Sequence, residues 1–357
     1  MISPKKNIIN LHREKDYGTD RSPYIRFDKN ERTISFPDDV FKGMMSKISN
    51  EAITMYPDQS LLYKKIAEFL SIDEDHILLT AGSDAAIKSI YETYIETGSK
   101  VVYLWPTYAM IDVYAKMFEA NIAKIEYSST LEIKFEKLLK EIDKTTKAVF
   151  IANPNQPTGT ILTDKQISQL IIKTKETDTL LIFDEAYVQF SNQESCIKYV
   201  EEFSHIVILQ TFSKAFGLAS ARLGYIITNP INIQWLYKVK SYSDINLYAL
   251  LFGEYLVENY SVVEEYVQGV KDSKDLLEVE LSVYDINVIK GNSNFVHLKF
   301  PKNTDKEFIV KKMKQKGYLI RNTGEGLPAV LEGCIRVTVG MPHQMKKFVE
   351  VLSHFIN

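Results

Sequence analysis

Short apolar runs alternate with stretches of helical period through the first two thirds of the chain. Ile77–Thr80, Val101–Leu104, Ala148–Ile151, Leu180–Phe183, Ile206–Gln210 and Gly224–Thr228 are apolar almost throughout, the pattern of strands buried on both faces. Leu61–Leu70, Ala85–Ile95, Tyr108–Phe118 and Asp164–Lys175 repeat apolar residues at helical spacing and predict helices. Strand and helix in alternation predict an α/β fold whose mostly parallel central sheet is covered by helices on both faces. Past a long helical stretch around Leu247–Leu276 the pattern changes. Strand-like Asn294–Lys299, Tyr318–Arg321 and Cys334–Val339 then mix with helical Lys306–Lys316 and Gln344–Phe355, which predicts a smaller α+β domain. The expected division is an N-terminal segment 1–40 packing near the small domain, a large domain 41–250 and a small C-terminal domain 251–357. No Pro/Gly linker separates the last two, so one long helix is expected to join them.

Composition narrows the function. A chain of 357 residues with 45% hydrophobic content can bury a large core in two domains. A formal net charge of −3 argues against a nucleic-acid surface. The first ten residues are polar and lysine-bearing, unlike a signal peptide, and no apolar run is long enough to span a membrane. Two distant thiols, Cys196 and Cys334, point to a reducing compartment, and the cytoplasm is the expected location. Six His and two Cys show no metal-ligand spacing, and neither a dinucleotide fingerprint nor a Walker phosphate loop is present.

The candidate chemistry gathers after the predicted strands. Thr211-Phe212-Ser213-Lys214-Ala215-Phe216-Gly217 sets one lysine among small and hydroxylated residues, and Arg222 follows eight positions later. A desolvated lysine amine can attack an aldehyde. The hydroxyls of Thr211 and Ser213 with the Arg222 guanidinium suit a phosphate dianion. Aldehyde and phosphate together mean pyridoxal 5'-phosphate, although an exposed lysine opening an amphipathic helix has a similar local pattern. Such a cofactor needs a carboxylate facing its ring nitrogen. Asp184, ending the apolar run Leu180–Phe183, is the candidate, with Tyr187 reaching the ring hydroxyl. Glu185 points the other way along a strand and is expected to partner other polar groups. Asn155, in the turn Asn153-Pro154-Asn155-Gln156-Pro157-Thr158-Gly159, can donate to the ring oxygen. Gly82-Ser83-Asp84 opens a helix after a strand, where free N–H groups meet a positive dipole end; Ser83 and Asp84 serve equally as ordinary N-caps. Arg336 lies on an apolar strand, where a buried guanidinium needs an anion.

The lysine run resembles the attachment motif of class II pyridoxal-phosphate aminotransferases, and the Asn-Pro turn resembles their Asn-Pro-x-x-Pro-Thr-Gly signature. From roughly residue 24 to 357 the chain resembles the fold-type I pyridoxal-phosphate superfamily. Within it, Met55-Tyr56-Pro57-Asp58, Asp184-Glu185-Ala186-Tyr187, the run 213–219, Ile320-Arg321 and the run 335–340 are similar to the histidinol-phosphate aminotransferase family. The resemblance implies a phosphate cradle at Gly82, Ser83 and Asp84, and a stacking aromatic at Tyr108. It further implies a substrate carboxylate on Arg336 and a substrate phosphate on Arg321. In that family the tyrosine of the Tyr-Pro motif reaches the neighbouring subunit's cofactor, which implies a homodimer with shared sites and a role for Tyr56. One departure concerns the family's Asn-Glu-Asn-Pro run, where this chain has Asn30-Glu31-Arg32-Thr33. Asn30 is kept as a substrate-side candidate, the proline turn is lost, and either Tyr17 or Tyr24 takes the place of a substrate-facing tyrosine.

The expected reaction is transamination between a phosphorylated amine such as histidinol phosphate and 2-oxoglutarate, with Lys214 as general base and acid. The alternatives are a decarboxylase of a phosphorylated amino acid, an aminotransferase for aromatic or other amino acids, and a pyridoxal-binding regulatory domain. The last usually carries a DNA-binding module, and no basic helix-turn-helix segment is visible.

Overall fold

The computed structural model describes residues 2–9, 11, 20–323 and 327–356. Among the described residues seven strands form the larger sheet: β1 (Ile77–Thr80), β2 (Lys100–Trp105), β3 (Asn121–Glu126), β4 (Thr146–Ala152), β5 (Leu180–Asp184), β6 (Ile206–Thr211) and β7 (Gly224–Thr228). Their spatial order is β1-β7-β6-β5-β4-β2-β3, and only β7 runs antiparallel to its neighbours. Alternate side chains pack into two separate apolar cores: Val149, Ile151, Leu181, Phe183 and Ile208 face one, Ala148, Phe150, Ile182, Val207 and Leu209 the other. With both faces covered, the strand ends are where polar groups gather.

The second sheet is antiparallel, with β8 (Asn287–Lys290), β9 (Phe295–Lys299), β10 (Arg321–Asn322) and β11 (Ile335–Thr338) in the order β10-β11-β9-β8. The N-terminal segment divides between the two sheets. Ile25–Arg26 pairs with Tyr318–Leu319, and Thr338 N–H donates to Phe27 O at 2.8 Å. Lys6–Ile9 lies instead against the helix Ala109–Met117, where Asn7 Nδ2 donates to Met117 O at 2.5 Å.

The single long helix expected at 247–276 is two helices, Leu247–Glu258 and Ser261–Ser282. Asn259 ends the first: its ψ of 50° leaves the helical region, and both its N–H and its Nδ2 donate to Tyr255 O. Strand β3 had no sequence signal. At the sheet edge only Ile125 of its residues is buried, so no apolar run was needed there.

The two sheets meet through backbone. Gly159, at φ +73°, lies so close to Gly291 that a Cβ on it would sit 2.8 Å from Gly291 Cα. Asn292 N–H donates to Gly159 O at 2.8 Å across the same contact.

Candidate active site

Strands β2, β4, β5 and β6 are parallel and end at one edge of the large sheet, and a cavity of about 320 Å³ opens there. Ser83, Asp84, Tyr108, Asp184, Tyr187, Thr211, Ser213, Lys214 and Arg222 line it from the large-sheet side. Lys29, Asn30, Arg321 and Arg336 line it from the other.

One end of the cavity is built for a phosphate-like anion. Gly82 starts the helix Ser83–Tyr94 with no side-chain cap, so the first N–H groups have no intrahelical partner. Neither Ser83 nor Asp84 caps it; the Asp84 carboxylate accepts from the Tyr114 hydroxyl at 3.2 Å. Gly82 has φ +83°, and a Cβ there would lie 2.7 Å from Arg222 Nη2, so only glycine admits the guanidinium. Arg222 Nη1 makes long contacts, 3.4 Å to Ser213 Oγ and 3.2 Å to Ala219 O. Thr211 Oγ1 accepts from Ser213 N–H at 3.1 Å and shapes the turn before Lys214.

At the other end, Asp184 Oδ1 accepts from Ala186 N–H at 3.1 Å. Burial pushes the Asp184 carboxyl up to about 6, with Glu185 adding to the rise and Lys214 opposing it. Glu185 points to the far side of the sheet, where it accepts from Ser195 Oγ, Cys196 N–H and Gln210 Nε2 at 2.5, 2.7 and 2.9 Å. Lys214 Nζ donates to Lys29 O at 3.2 Å and lies 5.6 Å from the centre of the Tyr187 ring. The Tyr187 hydroxyl accepts from Asn30 Nδ2 at 3.0 Å. Burial raises the Tyr108 phenol well above its ordinary range, so that ring stays neutral.

Asn155 departs from expectation. Both of its amide hydrogens are engaged, on Pro106 O at 2.9 Å and Thr158 Oγ1 at 2.8 Å, so it presents no free donor and acts as a brace beneath the loop. Asn30 is buried with φ +57°, its N–H donating to Thr338 Oγ1 at 2.9 Å, and it supports Tyr187 from the N-terminal segment. Tyr56 is 84% exposed and does not line the cavity of its own chain. Tyr24 is half-buried outside the lining, and Tyr17 lies outside the described residues. Sequence reasoning missed Lys29, whose carbonyl meets Lys214, although it stands next to Asn30.

Arg321 and Arg336 are directly paired across β10 and β11, which sets two cations side by side on the cavity wall. Arg336 Nη2 donates to Asp28 O at 2.8 Å, while its buried Nε has no partner among the described residues. Burial pushes its guanidinium down to about 10, and Arg321 adds to that; a buried cation so placed calls for an anion. These residues fit pyridoxal phosphate: an anion cradle at one end, a buried carboxylate, and a lysine amine between them.

The fold, the lysine and the cradle define an aminotransferase of the pyridoxal-phosphate type. The profile "Aminotransferase class I and II" matches residues 23–352, and the chain belongs to that family. Within the family its whole-length similarity is to histidinol-phosphate aminotransferases. That of Brachyspira hyodysenteriae is 31% identical over 99% of this chain and 98% of its own length. The Sinorhizobium meliloti histidinol-phosphate aminotransferase, solved with pyridoxal-5'-phosphate, superposes with a TM-score of 0.81 at 22% identity, covering 93% of this chain and 90% of that one. The L-threonine-O-3-phosphate decarboxylase of Porphyromonas gingivalis shares the fold at a TM-score of 0.78 and 23% identity, over 93% of this chain and 99% of that one.

Proposed function

We propose that the chain moves an amino group between a phosphorylated amine of the histidinol-phosphate type and the 2-oxoglutarate/glutamate pair. The observation that carries this substrate class is the pair of guanidiniums, Arg321 and Arg336, facing Lys214 across one cavity. They supply two anion positions: a carboxylate of glutamate or 2-oxoglutarate suits buried Arg336, and the phosphate of the amine suits the more exposed Arg321. The Brachyspira hyodysenteriae relative acts on the phosphorylated substrate its name states, which supports the same assignment.

Bound pyridoxal phosphate supplies an aldehyde that holds the amino group and a ring that draws electrons from the reacting carbon. Gly82, the first N–H groups of its helix, Ser213 and Arg222 would hold the phosphate. Asp184 would hold a proton on the ring nitrogen, its carboxylate gaining there the cation that burial otherwise denies it. Because the Tyr187 hydroxyl accepts from Asn30, its own proton is left to donate into the cavity, toward the ring oxygen. Tyr108, which lines the cavity, would cover the ring face and exclude water. Lys214 Nζ takes the proton from the substrate α-carbon and holds it for return, serving as base and then acid. The enzyme would work as a cytoplasmic homodimer, with Tyr56 of each chain completing the partner's phosphate site.

The test is a comparison of histidinol phosphate with histidinol in wild type and Arg321→Ala. Loss of a charge-assisted contact of about 1.5–3 kcal/mol corresponds to roughly ten- to over a hundredfold in kcat/KM. Wild type should show that preference and Arg321→Ala should shrink it, with the glutamate half-reaction affected less. Equal rates for both amines in wild type refute the phosphate assignment. With a phosphorylated amino acid such as L-threonine-O-3-phosphate in place of the amine, carbon dioxide release without 2-oxoglutarate consumption points to a decarboxylase.

A further inference from the structure

Alternation along the small sheet sorts its side chains by face. Phe295 pairs with Thr338 and His297 with Arg336, so these four share one face, while Val296, Leu298, Ile335 and Val337 fill the core behind it. His297 is 1% exposed, and its Nε2 lies 2.7 Å from Pro157 O. A carbonyl only accepts, so Nε2 carries the proton and the ring is fixed in one tautomer. Burial, with Arg336 adding to it, pushes His297 down to about 4, and the ring is neutral at working pH.

Neutrality leaves Nδ1 as a bare acceptor, buried and without a partner among the described residues. Directly across the ladder, Arg336 Nε is a buried donor that has no partner among the described residues. Opposed residues of an antiparallel pair have Cβ atoms only about 4.5–5.5 Å apart. Two orphaned groups of opposite kind on one residue pair are each costly alone and complementary together.

We propose that His297 is a positioning residue for Arg336: with Nε2–H anchored on Pro157 O, its Nδ1 lone pair accepts Arg336 Nε–H when the guanidinium turns onto a substrate carboxylate. Asp28 O already holds Nη2 at 2.8 Å, and the Phe295 ring lies 5.5 Å beneath the guanidinium carbon. With Nε braced as well, the remaining N–H groups are aimed at the cavity. A neutral acceptor serves better than a carboxylate here, since a carboxylate would neutralise the cation that must attract substrate. Pro157 follows Gln156, which lines the cavity, so the same imidazole ties the clamp to the loop at the strand ends.

This inference rests on Arg336 holding the substrate carboxylate, and the experiment separates the two. The holoenzymes of wild type, His297→Gln, His297→Asn, His297→Leu and Arg336→Gln are compared for KM and kcat with 2-oxoglutarate, and for the Kd of glutarate, a non-reacting dicarboxylate. Gln keeps a donor near Pro157 O but no acceptor at the Nδ1 position, whereas the Asn amide oxygen stands near that position. Expected are a KM and a glutarate Kd raised about five- to tenfold in His297→Gln and His297→Leu, with kcat within about threefold of wild type, and substantial recovery in His297→Asn. Wild-type KM and Kd in His297→Gln overturn the proposal, as do equal losses in the Gln and Asn variants. If His297→Leu fails to fold, the Gln and Asn pair decides. Should Arg336→Gln itself leave the glutarate Kd unchanged, the carboxylate assignment fails, and the His297 proposal fails with it. A large rise in Arg336→Gln beside an unaltered His297→Gln rejects the His297 role alone.

Discussion

Asp184 is buried beside Glu185, which disfavours its charge, and this couples folding to pH in the cofactor-free protein. Its carboxyl is raised from 3.8 to about 6, so between those values the folded chain keeps a proton that the unfolded chain has released. Stability therefore falls as pH rises through that window. Asp184→Asn removes the conflict, and in cofactor-free protein above pH 6 it should be more stable by roughly 2–3 kcal/mol in urea unfolding. The same variant with cofactor should lose most turnover, because an amide cannot hold the ring nitrogen's proton. Unchanged pH dependence of unfolding would show that another group carries the effect. Lys214 has a simpler test: borohydride treatment of the yellow holoenzyme should fix the cofactor on that residue, read by peptide mapping. Label on any other lysine rejects the assignment.

The turn from β1 into the helix Ser83–Tyr94 succeeds because glycine vacates the space that Arg222 occupies. An alanine at 82 must displace the guanidinium and also adopt a left-handed backbone. We expect Gly82→Ala to weaken cofactor affinity roughly ten- to a hundredfold by absorbance titration, with a smaller effect on folding, since the clash falls on a flexible side chain. Wild-type affinity would place the phosphate elsewhere. At the same scale lie the elements the sequence misjudged. The break at Asn259 hides in an apolar, helix-compatible stretch, because it depends on one asparagine folding back on Tyr255 O. Edge strand β3 hides for the opposite reason, having too little burial to leave a pattern.

Over the whole molecule, the site draws its groups from the large sheet, the small sheet and the N-terminal segment, which meet only after the two sheets dock at Gly159 and Gly291. Tyr56 stands apart from this assembly, exposed between two helices. If it completes the partner's site, mixing inactive Tyr56→Ala with inactive Lys214→Ala subunits should restore one intact site per heterodimer, up to about a quarter of wild-type activity for random pairing of equal amounts. Subunits shown to exchange without regaining activity would mean that Tyr56 does not complete the partner's site.

Local chemistry was legible from the chain alone. Apolar runs announced six of the seven strands of the large sheet, since a strand buried on both faces admits little else. That Lys214, Asp184 and Arg222 gather at one cavity was legible because a lysine among small residues, a strand-end acid and an arginine eight positions on each leave a local signature. Only the tertiary structure decided what depends on distant residues: that Asn30 supports Tyr187, that Asn155 spends its amide on Pro106 and Thr158, and that His297 stands opposite Arg336. The Asn155–Pro106 and Asn30–Tyr187 bonds span 49 and 157 positions of chain, and the His297–Arg336 pairing is a matter of register, where no local periodicity reaches.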